Sequence, residues 1–125
     1  MKKIIVISTI FFLFFSCDSK SVNIFEIELP NETIENKKFD IDDYKNKSVL
    51  LNFWFPSCPP CVYELEILNE INKELDSTSI IGVQVLGLDT QDDGVKMFQN
   101  KKILYKSIVD NGDSLVQNFE ITVFP

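Results

Sequence analysis

Residues 52–65, "NFWFPSCPPCVYEL", place Cys58 and Cys61 three positions apart with only Pro59 and Pro60 between them. Two thiols at that spacing can exchange electrons as a dithiol and disulfide, supply half of a metal site, or close a structural bridge. Zinc takes four ligands, usually from two such knuckles or from one knuckle plus histidines. This chain has no second knuckle and no histidine. The missing histidine also argues against a Cys-His hydrolase, a C-x-x-C-H haem attachment and a Cys/His copper carrier, so neither a metal nor a bound cofactor is expected. A purely structural bridge is the serious alternative. A loop with two residues inside it removes little unfolded-state entropy, which makes it a poor staple and a good redox switch.

The elements around the pair decide how it is presented. Residues 48–55, "SVLLNFWF", form a continuous apolar run rich in β-branched and aromatic side chains, the pattern of a strand buried on both faces. It feeds straight into the cysteines. Beyond them Leu65, Leu68, Ile71 and Leu75 recur at helical spacing, and Glu64, Glu66, Glu70 and Glu74 fill much of the opposite face. The spacing predicts a helix over 59–75, with both prolines in its first turn, where no intrahelical N–H is lost. Residues 79–89 read as a second buried strand, a short helix starts near Asp92, and "KSIVD" is a further extended piece. "NGDSLVQNF" reads as a turn and helix, and "ITVFP" as the start of another strand. Upstream, "NIFEIEL" and "KKFDIDDY" suggest a hairpin and a turn. Alternating strand and helix predicts an α/β domain around a parallel pair.

This placement puts Cys58 at a helix N-terminus. The positive end of the helix dipole favours a thiolate, and cysteines so placed have pKa values lowered to roughly 3.5–7.5. Cys58, nearer the end, is expected to attack; Cys61, one turn inside, is expected to resolve the mixed disulfide. The prolines stiffen the turn and bring no N–H toward the sulfur, which makes them tuners of reduction potential. Glu64 follows Cys61 by three residues on the same face. It reads either as a proton acceptor for Cys61 or as an exposed helix carboxylate.

The chain has 125 residues and a net charge of −7. It can bury one core and leaves no room for a second domain. The acidic balance argues against a nucleic-acid partner. Residues 1–16 begin with Lys2 and Lys3, run through apolar positions 4–15 and end in "FFS" before Cys17. A membrane-spanning helix needs about 20 apolar residues, so this shorter run has the form of an export signal. The ending resembles a lipobox with Phe14 in place of the usual leucine, making Cys17 the expected site of lipid attachment; an uncleaved anchor and a buried element of the fold are the alternatives. Lipid on Cys17 would leave Cys58 and Cys61 as a pair in an oxidising compartment. Residues 17–24 then read as the lipidated cysteine and a polar tether, and residues 25–125 as the domain.

"VLLNFWFPSCPPCVYEL", with "IIGVQVLGLD", "MFQNK", "SIVDNGDSLVQNFEITVFP" and the lipobox, resembles the TlpA/ResA-type thioredoxin-like proteins, envelope-anchored thiol-disulfide oxidoreductases. The resemblance covers roughly residues 25–125 and implies a thioredoxin-like fold with an N-terminal β-hairpin extension. It implies that Cys58 and Cys61 are the redox pair, that Trp54 packs beside it, that Glu64 is the active-site carboxylate, and that Pro125 is the cis-proline facing the disulfide. Asn52 stands where cytoplasmic thioredoxins carry a buried aspartate. The implied partners are protein thiols or disulfides, apocytochrome thiols among them, and an envelope redox partner, on the extracytoplasmic side of a membrane.

Three departures qualify the match. Ser57 replaces a tryptophan common beside the nucleophile. Glu66 replaces a helix-kinking proline, so a straighter helix is expected. Phe55 stands where peroxidase cousins need threonine, which argues against peroxidase activity. In the implied arrangement the strand after the cis-proline pairs beside residues 48–55 and is followed by another strand and a helix. None of these is present in the sequence, so a C-terminally incomplete fold with an open apolar edge, a fragment or an early-terminated product, is expected. Beside the oxidoreductase stand two other function classes: a non-catalytic binding module on the same fold and a lipoprotein with a merely structural bridge.

Overall fold

Three apolar runs become three parallel strands in the computed structural model, which describes residues 22–125. Cys17, residues 1–16 and most of the tether therefore lie outside the described residues. Strand β1 (Ser48–Trp54) leads into helix α1 (Pro59–Asn72), strand β2 (Thr78–Val85), helix α2 (Gln91–Lys101), strand β3 (Lys106–Asp110) and the short helix α3 (Ser114–Asn118). The sheet order is β1-β2-β3, with Asn52 opposite Gly82 and Gly82 opposite Ser107. Parallel neighbours need a crossover, and α1 and α2 supply one each.

The side-chain period of two divides each strand between two cores. One face gathers Trp54, Ile80, Tyr105 and Val109 with Cys58, with Cys61 and Leu65 of α1 and with Phe98 of α2. The other gathers Phe53, Ile81, Val83, Val85 and Ile108 with Phe39 and Leu115. β1 is less buried than its apolar run suggests: Leu50 is 40% exposed, and only Asn52, Phe53 and Trp54 are buried. The reason is position, because among the described residues β1 pairs only with β2 and forms one edge of the sheet.

α1 is continuous through Glu66, as the absence of a proline there predicts, and the Glu66 carboxylate pairs with Lys101 of α2 at 3.2 Å. It stops at Asn72 rather than Leu75 because Lys73 and Glu74 bond back to Glu70 and Ile71, tightening the last turn. The expected N-terminal hairpin is absent as a ladder. In its place stand two short 3₁₀ turns, Ile24–Glu26 and Ile41–Tyr44, and a single antiparallel bridge between Glu32 and Lys38. Pro30 interrupts the first run, and residues 33–37 fold into a tight turn whose Ile34 N–H donates to the Ser107 carbonyl of β3 at 2.8 Å.

The segment 121–125 also departs from expectation. It joins no strand, and the Phe124–Pro125 bond is trans, since no cis peptide occurs among the described residues. Trans is intrinsically favoured by about 0.5–1 kcal/mol, and no ladder holds this segment against that preference.

Asp110 closes β3 and starts α3. Its carboxylate is 1% exposed and accepts from the N–H groups of Leu115 at 2.9 Å and Val116 at 2.8 Å and from the Ser114 hydroxyl at 3.2 Å. Asp110→Ala is expected to cost about 2–3 kcal/mol in a urea titration, since two amides under the sheet lose their acceptor. An unchanged midpoint would show that α3 does not depend on this cap.

Candidate active site

β1 carries the chain from the edge of the sheet straight to the disulfide. Trp54, the last residue of the strand, is fully buried, stacks on Phe98 with ring centroids 4.9 Å apart, and donates its indole N–H to the Ser107 hydroxyl at 3.1 Å. Its indole N–H passes close over Gly82. A Cβ there would lie 2.7 Å from Ser107 Oγ and 3.2 Å from Trp54 Nε1, so only glycine admits this crossing. Trp54 is thereby held from two sides at the base of the turn that contains the cysteines.

Cys58 and Cys61 are joined in a disulfide with Cα atoms 5.3 Å apart. Cys58 is the N-cap of α1, in extended backbone, with Pro59 and Pro60 at the first two helical positions. Those two residues bring no N–H, so the first amide that can reach the sulfur is that of Cys61. It donates to Cys58 Sγ at 3.3 Å. A single backbone donor and the helix dipole thus converge on Cys58, the arrangement that favours a thiolate when the pair is reduced. Cys58 retains 6% exposure and Cys61 none, so the outer sulfur is the one a partner can reach first.

The turn before the helix is clamped by a residue that motif reading missed. Asp89, in the loop after β2, accepts from the Ser57 N–H at 3.0 Å and from the Ser57 hydroxyl at 2.6 Å. The signal was available: loops at the carboxyl ends of parallel strands converge on α/β sites, and β2 ends four residues earlier, at Val85. On the other side, Pro125 comes to the disulfide although its peptide is trans, with its carbonyl oxygen 3.8 Å from Cys58 Sγ. Phe124 packs edge-on against Phe55 at 5.2 Å and helps hold the segment there.

Beneath the pair, Glu64 is half-buried rather than free on the surface, and its Oε2 accepts from Asn52 Nδ2 at 3.1 Å. Asn52 is itself buried, with its Oδ1 unpartnered. The buried polar position under the disulfide is thus filled by an amide that holds the carboxylate of Glu64. The sequence-predicted residues Trp54, Cys58, Pro59, Pro60, Cys61, Glu64 and Pro125 come together here; Cys17 lies outside the described residues.

A parallel sheet whose edge strand delivers a C-x-x-C disulfide to a helix N-terminus defines a thioredoxin-like α/β fold. The Redoxin family model matches residues 21–124, and the chain belongs to that family. It is 31% identical over 104 residues to the thiol-disulfide oxidoreductase ResA of Bacillus thuringiensis subsp. konkukian, covering 78% of this chain and 58% of the relative. It is 36% identical over 66 residues to the thiol:disulfide interchange protein DsbE of Haemophilus influenzae, covering 52% of this chain and 33% of that one. The chain thus spans less than two thirds of the length of these relatives. Among solved structures, StoA from Bacillus subtilis superposes with a TM-score of 0.64 at 24% identity, over 78% of this chain and 74% of that one. DsbF of MTB gives 0.65 at 21% identity, over 78% and 77%. At those identities the likeness concerns the fold.

Proposed function

We propose that this protein is a thiol-disulfide oxidoreductase that exchanges electrons with protein thiols and disulfides through Cys58 and Cys61. The observation that carries the reading is the Cys61 N–H directed at Cys58 Sγ, at the start of a helix whose first two residues bring no other donor. In the reduced protein the Cys58 thiolate attacks a substrate disulfide, forms a mixed disulfide and releases one substrate thiolate. Cys61 then gives its proton to Glu64, attacks Cys58 Sγ and releases the second substrate sulfur. Two electrons pass to the substrate, and the pair returns to the disulfide. The reverse sequence oxidises a substrate dithiol. A separate dithiol or disulfide protein of the envelope resets the pair.

The lipid anchor on Cys17, the extracytoplasmic position and apocytochrome thiols as one substrate class belong to the same proposal. They are supported by the form of residues 1–17 and by the likeness to ResA and DsbE. Labelling cells with a lipid precursor, and finding it lost in Cys17→Ala, tests the anchor.

The proton step makes its own prediction. Glu64→Gln keeps a hydrogen-bonding side chain beside Asn52 and removes the base. Resolution of the mixed disulfide at neutral pH is expected to slow by about a hundredfold, with the acidic limb of its pH profile abolished and the fold intact. Stopped-flow measurement of the second step against pH reads this. A profile superposable on wild type would leave Glu64 as a helix carboxylate with no part in exchange.

A further inference from the structure

Asp89 holds the residue immediately before the attacking cysteine, through two hydrogen bonds that folding alone does not require. Ser57 is exposed, so water could take both of its donors, and an exposed hydrogen bond adds little to stability. A carboxylate at this place also works against a thiolate on Cys58, since like charges disfavour one another. What the two bonds do supply is a fixed path for the main chain that leads into Cys58.

The carboxylate can fix that path because it is itself braced. The Asp89 N–H donates to the Leu86 carbonyl at 2.7 Å, in a turn whose Gly87 has a φ of 53°. The next residue, Thr90, caps α2 in a reciprocal box with Asp93, and its carbonyl accepts from the fully buried Gln84 side chain at 2.8 Å. Asp89 thus belongs to the junction of β2 and α2. Its Oδ2 takes both Ser57 donors, and the Cys58 N–H closes the same turn on the Phe55 carbonyl at 3.1 Å.

The link matters most when the bridge is open. In the disulfide, the covalent bond to Cys61 fixes Cys58. Once that bond breaks, α1 retains Cys58 through the Cys61 N–H on Sγ, 3.3 Å away, and the Val62 N–H on the Cys58 carbonyl, 3.1 Å away. Pro59 and Pro60 have no N–H to add. Asp89 supplies a hold on this turn from outside the helix.

We propose that Asp89 is a positioning residue for thiol-disulfide exchange: by holding Ser57 it keeps Cys58 within reach of Cys61 after the bridge opens, and so raises the effective concentration of one sulfur for the other. The inference rests on the reading of Cys58 and Cys61 as the exchanging pair. In the step concerned the Cys61 thiolate attacks Cys58 Sγ of the mixed disulfide. The Cys58–Cys61 bond forms as the bond to the partner's sulfur breaks, and the electron pair leaves on that sulfur as a thiolate. Closure of this kind gains its speed and its equilibrium from orientation, which a loosened turn gives up.

The test equilibrates the full chain with reduced and oxidised glutathione and follows resolution of its glutathione mixed disulfide by stopped flow. Asp89→Ala is expected to lower the equilibrium constant for closure about tenfold, which moves the midpoint about 30 mV in the oxidising direction. Resolution should slow by a similar factor, while the urea midpoint of the oxidised chain barely moves. Asp89→Asn removes the charge and keeps an oxygen for both Ser57 donors, so it should stay close to wild type. Ser57→Ala keeps the carboxylate and loses the shorter bond, so it should fall between the two. Wild-type resolution in Asp89→Ala overturns the proposal and leaves the link a surface bond. A loss in Asp89→Asn equal to that in Asp89→Ala overturns it too, because the effect would then be one of charge. Since these readings use glutathione, the expected order of variants in a chain that exchanges with no protein disulfide would uphold the role of Asp89 and sink the proposed function instead.

Discussion

Cys58→Ser is expected to abolish reduction of insulin disulfides, while Cys61→Ser leaves a protein that accumulates mixed disulfides with its substrates. The asymmetry follows from geometry. Cys58 is the sulfur at the helix cap, receives the Cys61 N–H and retains the pair's residual exposure, so it makes the first bond to a partner. Cys61 is fully buried and can act only on Cys58 Sγ. Without Cys61 the first bond forms and is not resolved. Trapping on non-reducing gels followed by mass spectrometry distinguishes the two variants. Faster alkylation of Cys61 than of Cys58 in the reduced wild type would reverse the roles.

Trp54→Ala is expected to cost about 3–5 kcal/mol of unfolding free energy, a large share of the roughly 5–15 kcal/mol typical of a small domain. Trp54 is fully buried, carries the stacking contact with Phe98 and donates to Ser107, and its loss would open a cavity beneath the disulfide turn. Trp54→Phe keeps the ring and loses only the indole N–H, so it should cost much less. The Ser107 hydroxyl would keep its contact with the Ile108 carbonyl, 3.4 Å away. Thermal or urea unfolding of the two variants reads the difference. Equal losses would mean that the hydrogen bond to Ser107, rather than packing against Phe98, anchors the turn.

What was legible in the sequence was whatever local rules decide. The apolar run before Cys58 announced β1, the 3-4 spacing after Cys61 announced α1, and two prolines that fit only a first helical turn placed Cys58 at the cap. α2, β3 and α3 also fall where periodicity and turn chemistry put them, with Thr90 and Asp93 forming a capping box that starts α2. What failed depended on partners distant in the chain. The runs around Leu29 and Phe39 have strand-like patterns, but the turn between them spends its Ile34 N–H on β3, and the ladder stops at one bridge. The conformation of Pro125 was inferred from likeness, and the local preference for trans prevailed in a segment that joins no strand among the described residues.

The placement of the cysteines was legible in the sequence, and the residues that support them were not. Cys58, Cys61 and Glu64 are spaced along one helix and its N-cap, and that spacing could be read directly. Asp89 and Ser107 reach the site from later in the chain, through the order of strands and the close crossing at Gly82, which one sequence without a sheet register does not reveal.

The central claim is that the Cys58–Cys61 bridge is a switch rather than a staple, and its midpoint reduction potential tests this most directly. Structural bridges fall below about −300 mV, whereas exchanging pairs span roughly −270 to −120 mV. Equilibration of the full chain with glutathione or dithiothreitol buffers, read by thiol alkylation, is predicted to give a value in the exchanging range, with the pair cycling reversibly. A midpoint below about −300 mV, together with no exchange with a protein disulfide, would contradict the account and return the pair to a structural bridge.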